Sequence, residues 1–268
     1  LDRDFRSEGD ILPLLNPIAS QMGVMRGGLM GGLVQSLRYN LNHGLERLRV
    51  FEVGRAFLSV EPQGQPLRIA ALAYGTSRPE QWGEKNRNVD FHDLRADLDA
   101  LLYPVQAEYR PAMHPSLHPG QCAQVLVDGA PIGWIGALHP RLNQKYGFAK
   151  APLVFELDTG SLLTLPAPRY RGMPKFPTVR RDMAVVVDAA LPLGDILARV
   201  RSDVPALVAD IACFDVYQGL GVEDGKKSLA FKVLLQHTEK TLTDSEIDTA
   251  MSEVLEALSR HFNATLRG

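Results

Sequence analysis

Residues 214–233 read FDVYQGLGVEDGKKSLAFKV. Apolar and polar side chains alternate on both sides of a glycine-rich interruption, the signature of two strands joined by a turn. Working outward, the flanking segments keep to one pattern. Upstream, DMAVVVDAA (182–190) reads as a strand, and LGDILARVRSDV (193–204) as a helix with Leu193, Ile196, Leu197 and Val200 on one side. Downstream, Thr243 and Glu246 form a capping box that opens a helix striped by Ile247, Ala250, Met251, Val254, Leu255 and Leu258. NATLRG (263–268) supplies a short final strand. The order is βαββαβ, the ferredoxin-like split unit.

Two striped helices can cover one face of a four-stranded sheet and leave the other open. Strict alternation predicts that Phe214 and Val216 face the helices, whereas Cys213, Asp215 and Tyr217 face outward. On the next strand Leu229, Phe231 and Val233 fall on the covered side. Ser228, Ala230 and Lys232 then share the open side with Tyr217 and Asp215, joined by Ala184 of the first strand. A ring, a carboxylate, a hydroxyl and an ammonium on an open sheet match the needs of single-stranded RNA recognition, in which a splayed base stacks on the ring and polar groups read its edge. A strand-end tyrosine that merely covers sheet surface is the alternative from geometry alone.

The N-terminal part reads as a separate α/β domain. GLMGGLVQSLRYNLN (28–42) spaces Leu29, Leu33, Leu37 and Leu41 four apart, a helical stripe despite two internal glycines. LRVFEVGRAFLSV and LRIAALAYG read as strands, and FHDLRADLDALL (91–102) as a helix with Leu94, Leu98, Leu101 and Leu102 on one face. CAQVLVDGAPIGWIGAL places Asp128 and Gly129 between apolar runs, a hairpin signal that favours an antiparallel sheet over a doubly wound parallel one. Between the two parts, residues 164–182 hold prolines at 166, 168, 174 and 177. The same stretch holds Arg169, Arg171, Lys175, Arg180 and Arg181 against the single acid Asp182. The expected division is 1–165, a basic linker at 166–173, and 174–268. Arg180 and Arg181 are candidate RNA-backbone contacts, a solvated connector being the alternative.

Composition excludes several classes. A chain of 268 residues, 45% of them hydrophobic, is long enough for two cores. A net charge of −2 leaves no global basic footprint, so nucleic-acid binding must be local. Cys122 and Cys213 are far apart and outside any CxxC spacing, which argues against a disulfide framework or zinc knuckle. No apolar run reaches the length of a membrane span. The first residue is Leu1, and the sequence reads as part of a longer polypeptide in a reducing cytoplasm. Catalytic signals are missing from the first domain: Gly32 is followed by Leu33 where a phosphate loop needs lysine, and prolines at 115 and 119 break the spacing of His114 and His118 as a helical metal pair. Packing of the helix against small side chains is the expected role of its glycines.

The runs KFPTVRRDMAVVV, DVYQG, GKKSLAFKV, LTDSEI and ATLRG resemble the ferredoxin-fold anticodon-binding domain that ends the beta subunit of bacterial phenylalanyl-tRNA synthetase. NPIASQMGVMRGGLMGGLVQSLRYNLNHGLERLRVFEVGRAF and HPGQCAQVLVDGAPIGWIGALHP resemble that subunit's catalytic-like domain. The resemblance implies an α+β protein, a class II synthetase-like antiparallel-sheet domain followed by a ferredoxin-like domain. It implies a non-catalytic subunit that scaffolds the alpha subunit of an alpha2beta2 heterotetramer and binds the anticodon of tRNA for phenylalanine. ATP and Mg2+ would belong to the alpha-subunit site, with no cofactor on this chain. Asp215, Tyr217, Ser228 and Ala184 carry over as anticodon contacts. Gln218 stands where the family usually has arginine, and MRGGLMGGLV where it often has MRTSLLPGLL, which puts one phosphate contact and the start of the interface helix in question. Two other readings differ in what they require. A self-sufficient class II-like ligase would bind ATP alone, and a small-molecule regulatory module would have a closed apolar pocket in place of an open polar face.

Overall fold

The computed structural model describes residues 2–5, 9, 11–19, 22–168, 170 and 175–267. The chain divides into two compact units, Leu1–Arg169 and Tyr170–Gly268. In the first, the described helices are α1 (Asp2–Phe5), α2 (Met30–Asn42), α3 (Phe91–Leu102), α4 (Pro140–Tyr146) and α5 (Thr159–Leu162). The strands are β1 (Leu48–Arg55), β2 (Leu67–Tyr74), β3 (Glu108–Pro111), β4 (Leu117–Val127), β5 (Ala130–Leu138) and β6 (Leu153–Asp158). They form one six-stranded sheet, β1-β2-β6-β5-β4-β3, antiparallel throughout. Strand parity divides its side chains between two cores. Ala70, Leu72, Cys122, Leu138 and Val154 pack with Leu29 and with Leu33, Val34 and Leu37 of α2. Ala73, Val125, Ile135, Ala137 and Phe155 pack with Leu94, Leu98 and Leu102 of α3. The sheet is thus buried on both sides, which explains the nearly unbroken apolar run of β6.

Local chemistry sets the boundaries. Asp128 (φ 50°) and Gly129 (φ 76°) form the two-residue turn of the β4–β5 hairpin, whose handedness requires positive φ at both positions. Asp90 and Asp93 make a capping box at α3. α2 has no such cap: Leu29 occupies its N-cap position, and no acid lies in its first turn. Its first amides instead donate to Glu156 on β6, Leu29 N and Met30 N reaching Oε2 at 2.9 and 3.0 Å. Arg68 Nη1 donates to the other carboxylate oxygen at 3.1 Å. The glycine run makes this possible, since a Cβ at Gly28 would lie 2.9 Å from Glu156 Oε1. Gly28 therefore makes room for a close-approaching carboxylate, where its sequence context predicts only helix packing.

The second unit comprises β7 (Val179–Asp188), α6 (Leu193–Asp203), β8 (Val208–Tyr217), β9 (Lys226–Leu235), α7 (Asp244–Phe262) and β10 (Thr265–Leu266). This is the expected βαββαβ order. The sheet order is β10-β7-β9-β8, again antiparallel. Val185, Val187, Ile211, Leu229, Phe231, Val233 and Leu235 form its core with Ile196 and Val200 of α6 and Ile247, Ala250, Val254 and Leu258 of α7. The capping box at Thr243 and Glu246 opens α7 as predicted. β7 begins at Val179, so Arg180 and Arg181 belong to a strand and not to the proline-rich connector; Arg169, Arg171 and Pro174 lie outside the described residues.

Candidate nucleic-acid interface

No helix packs on the second face of the β7–β10 sheet among the described residues, and pairing registers define which side chains occupy it. On β9, Leu229, Phe231 and Val233 are fully buried toward the helices, which places Ser228, Ala230, Lys232 and Leu234 on the opposite side. Across β7 their partners are Val186, Ala184, Asp182 and Arg180. Across β8, Ser228 pairs with Tyr217 and Ala230 with Asp215, but Phe231 pairs with Cys213. Phe214 is therefore an extra residue, a bulge between the pairs of Cys213 and Asp215. This corrects the alternation inferred from sequence. Cys213 belongs to the helix-covered side, where it packs against the core, and the ring of Phe214 reaches the open side, with the Arg180 guanidinium 5.7 Å from its centroid. Strict period-two counting fails because one residue is added to the strand without a partner.

The open face has a floor and a rim. Ala184 and Ala230 sit side by side in one row that ends at Asp215, so two methyl groups leave a shallow depression there. On one side stands Tyr217, 38% exposed. Its hydroxyl donates to the carbonyl of Leu220 at 3.2 Å, steadying the ring against the following loop. On the other side lie Asp182 and Lys232, direct cross-strand partners. Arg180 donates to both oxygens of Asp182 at 2.8 and 2.9 Å, and that hydrogen bonding holds the carboxyl of Asp182 below the usual carboxylate range.

Two of the expected site residues sit differently from the prediction. Ser228 is on the predicted side but only 3% exposed, so its hydroxyl is not displayed. Arg181 pairs with Val233, whose side chain is in the core, and therefore faces away from Tyr217 and Arg180. Two residues were missed. Phe214 is one. Arg267 is the other: it follows β10, its amide donates to the Ala184 carbonyl at 2.8 Å, and its guanidinium lies 5.0 Å from the Tyr217 ring centroid. Only the pairing of β10 beside β7 brings that distant residue to the tyrosine.

The first unit presents a different picture. The N-terminus of α2, where a phosphate-binding helix would take its anion, accommodates the carboxylate of Glu156. Glu52 of the VFEVGR strand is ion-paired with Arg26. His114 and His118 each accept a backbone N–H two residues downstream, from Ser116 and Gly120. Among the described residues no group of three or more His, Cys, Asp or Glu side chains could hold a metal, and no helix is long and apolar enough to cross a membrane.

Comparison with known proteins agrees with both halves of this description. Residues 2–159 match the family model of the phenylalanyl tRNA synthetase beta chain CLM domain, and residues 174–267 match that of the ferredoxin-fold anticodon binding domain. Among similar proteins, the phenylalanine–tRNA ligase beta subunit of Thiobacillus denitrificans is 49% identical over 100% of this chain and 33% of its own length. That of Chromobacterium violaceum is 48% identical over 96% of this chain and 33% of its own length. The chain thus spans about a third of the curated relatives it matches. With a family model over more than half of its residues and a second over the sheet that carries Tyr217, the chain belongs to the family of phenylalanine–tRNA ligase beta subunits.

Proposed function

We propose that this chain serves in a phenylalanine–tRNA ligase, where its second unit binds the anticodon of tRNA for phenylalanine and its first unit supports the catalytic alpha subunit within an alpha2beta2 assembly. The observation that carries the RNA reading is the open sheet face: Tyr217 stands over a floor of Ala184 and Ala230, with Asp215, Lys232 and Arg267 around it. A base laid on that floor stacks on the tyrosine ring, and the Asp215 carboxylate accepts from its amino or imino edge. Lys232, Arg180 and Arg267 contribute three cations against the carboxylates of Asp182 and Asp215. This small excess makes stacking, more than phosphate attraction, the source of affinity. Arg181 and the buried Ser228 act from outside this contact set, as an edge cation and a filler beneath the surface.

ATP and Mg2+ act in the alpha-subunit site, and this chain contributes no catalytic residue and binds no cofactor of its own. What supports that reading is the Glu156 carboxylate already seated at the α2 N-terminus, with Arg26 engaged by Glu52. Residues 166–173 connect the two units, and the assembly works in the cytoplasm. The test is a binding titration of the chain with tRNA for phenylalanine and with a non-cognate tRNA at fixed ionic strength. Tighter binding of the first is expected. Equal binding, or none, overturns the anticodon reading.

A further inference from the structure

The open face carries the same arrangement twice. Tyr217 lies beside the guanidinium of Arg267, and Phe214 beside that of Arg180, at 5.0 and 5.7 Å from ring centroid to guanidinium carbon. Both rings come from β8, whereas Arg180 lies on β7 and Arg267 directly follows β10, on the other side of β9. Phe214 is 55% exposed, far more than a core phenylalanine such as Phe231. Continuing the alternation of Ile211 and Cys213, Phe214 points away from the helices, and the bulge lets Asp215 and Tyr217 share that side with it. Arg180 is fixed by two hydrogen bonds to Asp182, which neutralise much of its charge and leave the planar group alongside the ring. These features suit a flat, uncharged partner better than a phosphate.

We propose that Phe214 and Arg180 form a second nucleobase subsite on this face, taking a base next to the one held at Tyr217. The proposal rests on the reading of the face as an RNA surface and extends it to a second ring. Tyr217 and Phe214 are three residues apart in sequence, one of them absorbed by the bulge, which separates the rings by roughly 7–10 Å along the strand. Stacked bases in a duplex are about 3.4 Å apart. The two sites therefore do not hold bases stacked on each other; they hold two splayed ones, as single-stranded loops offer.

The experiment uses the full chain and an anticodon stem-loop RNA in which 2-aminopurine replaces each loop base in turn. In the parent protein, binding changes the fluorescence at two or more loop positions. Phe214→Ala abolishes the change at one position and weakens binding by about 5- to 150-fold, the range for a lost base–aromatic stack. Tyr217→Ala abolishes it at a different position. Phe214→Trp keeps both the affinity and the signal, and thermal melts of each variant verify folding. If Phe214→Ala binds like the parent while Tyr217→Ala does not, the second subsite is wrong and the RNA reading stands. If both variants silence the same position, the second subsite is equally refuted. If the parent binds no stem-loop, the RNA reading itself fails and takes this proposal with it.

Discussion

Removing the carboxylate of Glu156 is expected to destabilise the first unit without touching any residue of the open sheet face of the second. Glu156 is 6% exposed, accepts from two main-chain amides at the start of α2 and holds the Arg68 guanidinium. α2 has no cap of its own, so these contacts are its N-terminal satisfaction. Glu156→Ala leaves two buried amides without their acceptor and takes an anion away from a largely buried guanidinium, a loss of about 3–5 kcal/mol by analogy with broken buried ion pairs. Glu156→Gln keeps an acceptor oxygen while losing the charge, for about 1–3 kcal/mol. The assay is urea denaturation followed by tryptophan fluorescence. The chain's two tryptophans, Trp82 and Trp134, both lie in the first unit, so the signal reports on that unit alone. If Glu156→Ala unfolds within about 0.5 kcal/mol of the parent, the size of an ordinary surface change, then α2 does not depend on this carboxylate and the account of its N-terminus is wrong.

Other outcomes are as specific. Tyr217→Ala should weaken tRNA binding by about 1–3 kcal/mol, whereas Tyr217→Phe, which forfeits only the hydroxyl contact to Leu220, should cost far less; equal losses in the two would point to the hydroxyl instead of the ring. Lys232→Ala should lower affinity for cognate and non-cognate tRNA alike, and a loss confined to the cognate would assign this lysine to base reading. Hydrogen bonding from Arg87 holds the Asp93 carboxyl down to about 2, against 3.8 for the free group. A depressed carboxyl contributes stability above its unfolded value that is lost as pH falls toward its folded one. Acid titration from pH 4 to 2 should therefore destabilise the parent more steeply than Asp93→Asn, and parallel curves would show that the Arg87 pairing adds nothing. The pure chain should show no phenylalanine-dependent pyrophosphate exchange, and measurable exchange would place catalytic residues on it.

Much of the fold was legible because it depends on periodicity and punctuation. The stripes of α2, α3, α6 and α7 supply most of the buried residues of those helices, although Leu101 of α3 is exposed, and Asp128–Gly129 turns the hairpin as its composition demands. β3, with only four residues, and β6, with apolar side chains on both faces, lack the alternation that announces a strand. Alternation puts Tyr217, Asp215, Ala184 and Lys232 on the same side of the sheet as the pairing registers do, but not Cys213 and Phe214, because a bulge leaves no local compositional mark in FDVY. Arg267 was out of reach for another reason: its closeness to Tyr217 arises from strand order. Ser228 was assigned to the right face, yet whether a small residue is displayed or covered depends on its neighbours' side chains, which alternation does not describe.

β8 carries an extra residue at Ala209 as well, and the bulge at Phe214 marks where its assignment of faces inverts. Up to Cys213, alternate positions beginning at Val208 and resuming at Ile211 address the helices; from Asp215 onward the assignment is inverted. Deleting or inserting one residue at the bulge would thus exchange the two faces for everything on one side of it, sending Tyr217 toward the hydrophobic core or Ile211 toward solvent, while leaving the composition of the strand almost untouched. The open face is indexed by counting back from the β8–β9 loop, and the core by counting forward from α6. Length, more than residue identity, is what this short segment must conserve for both counts to agree.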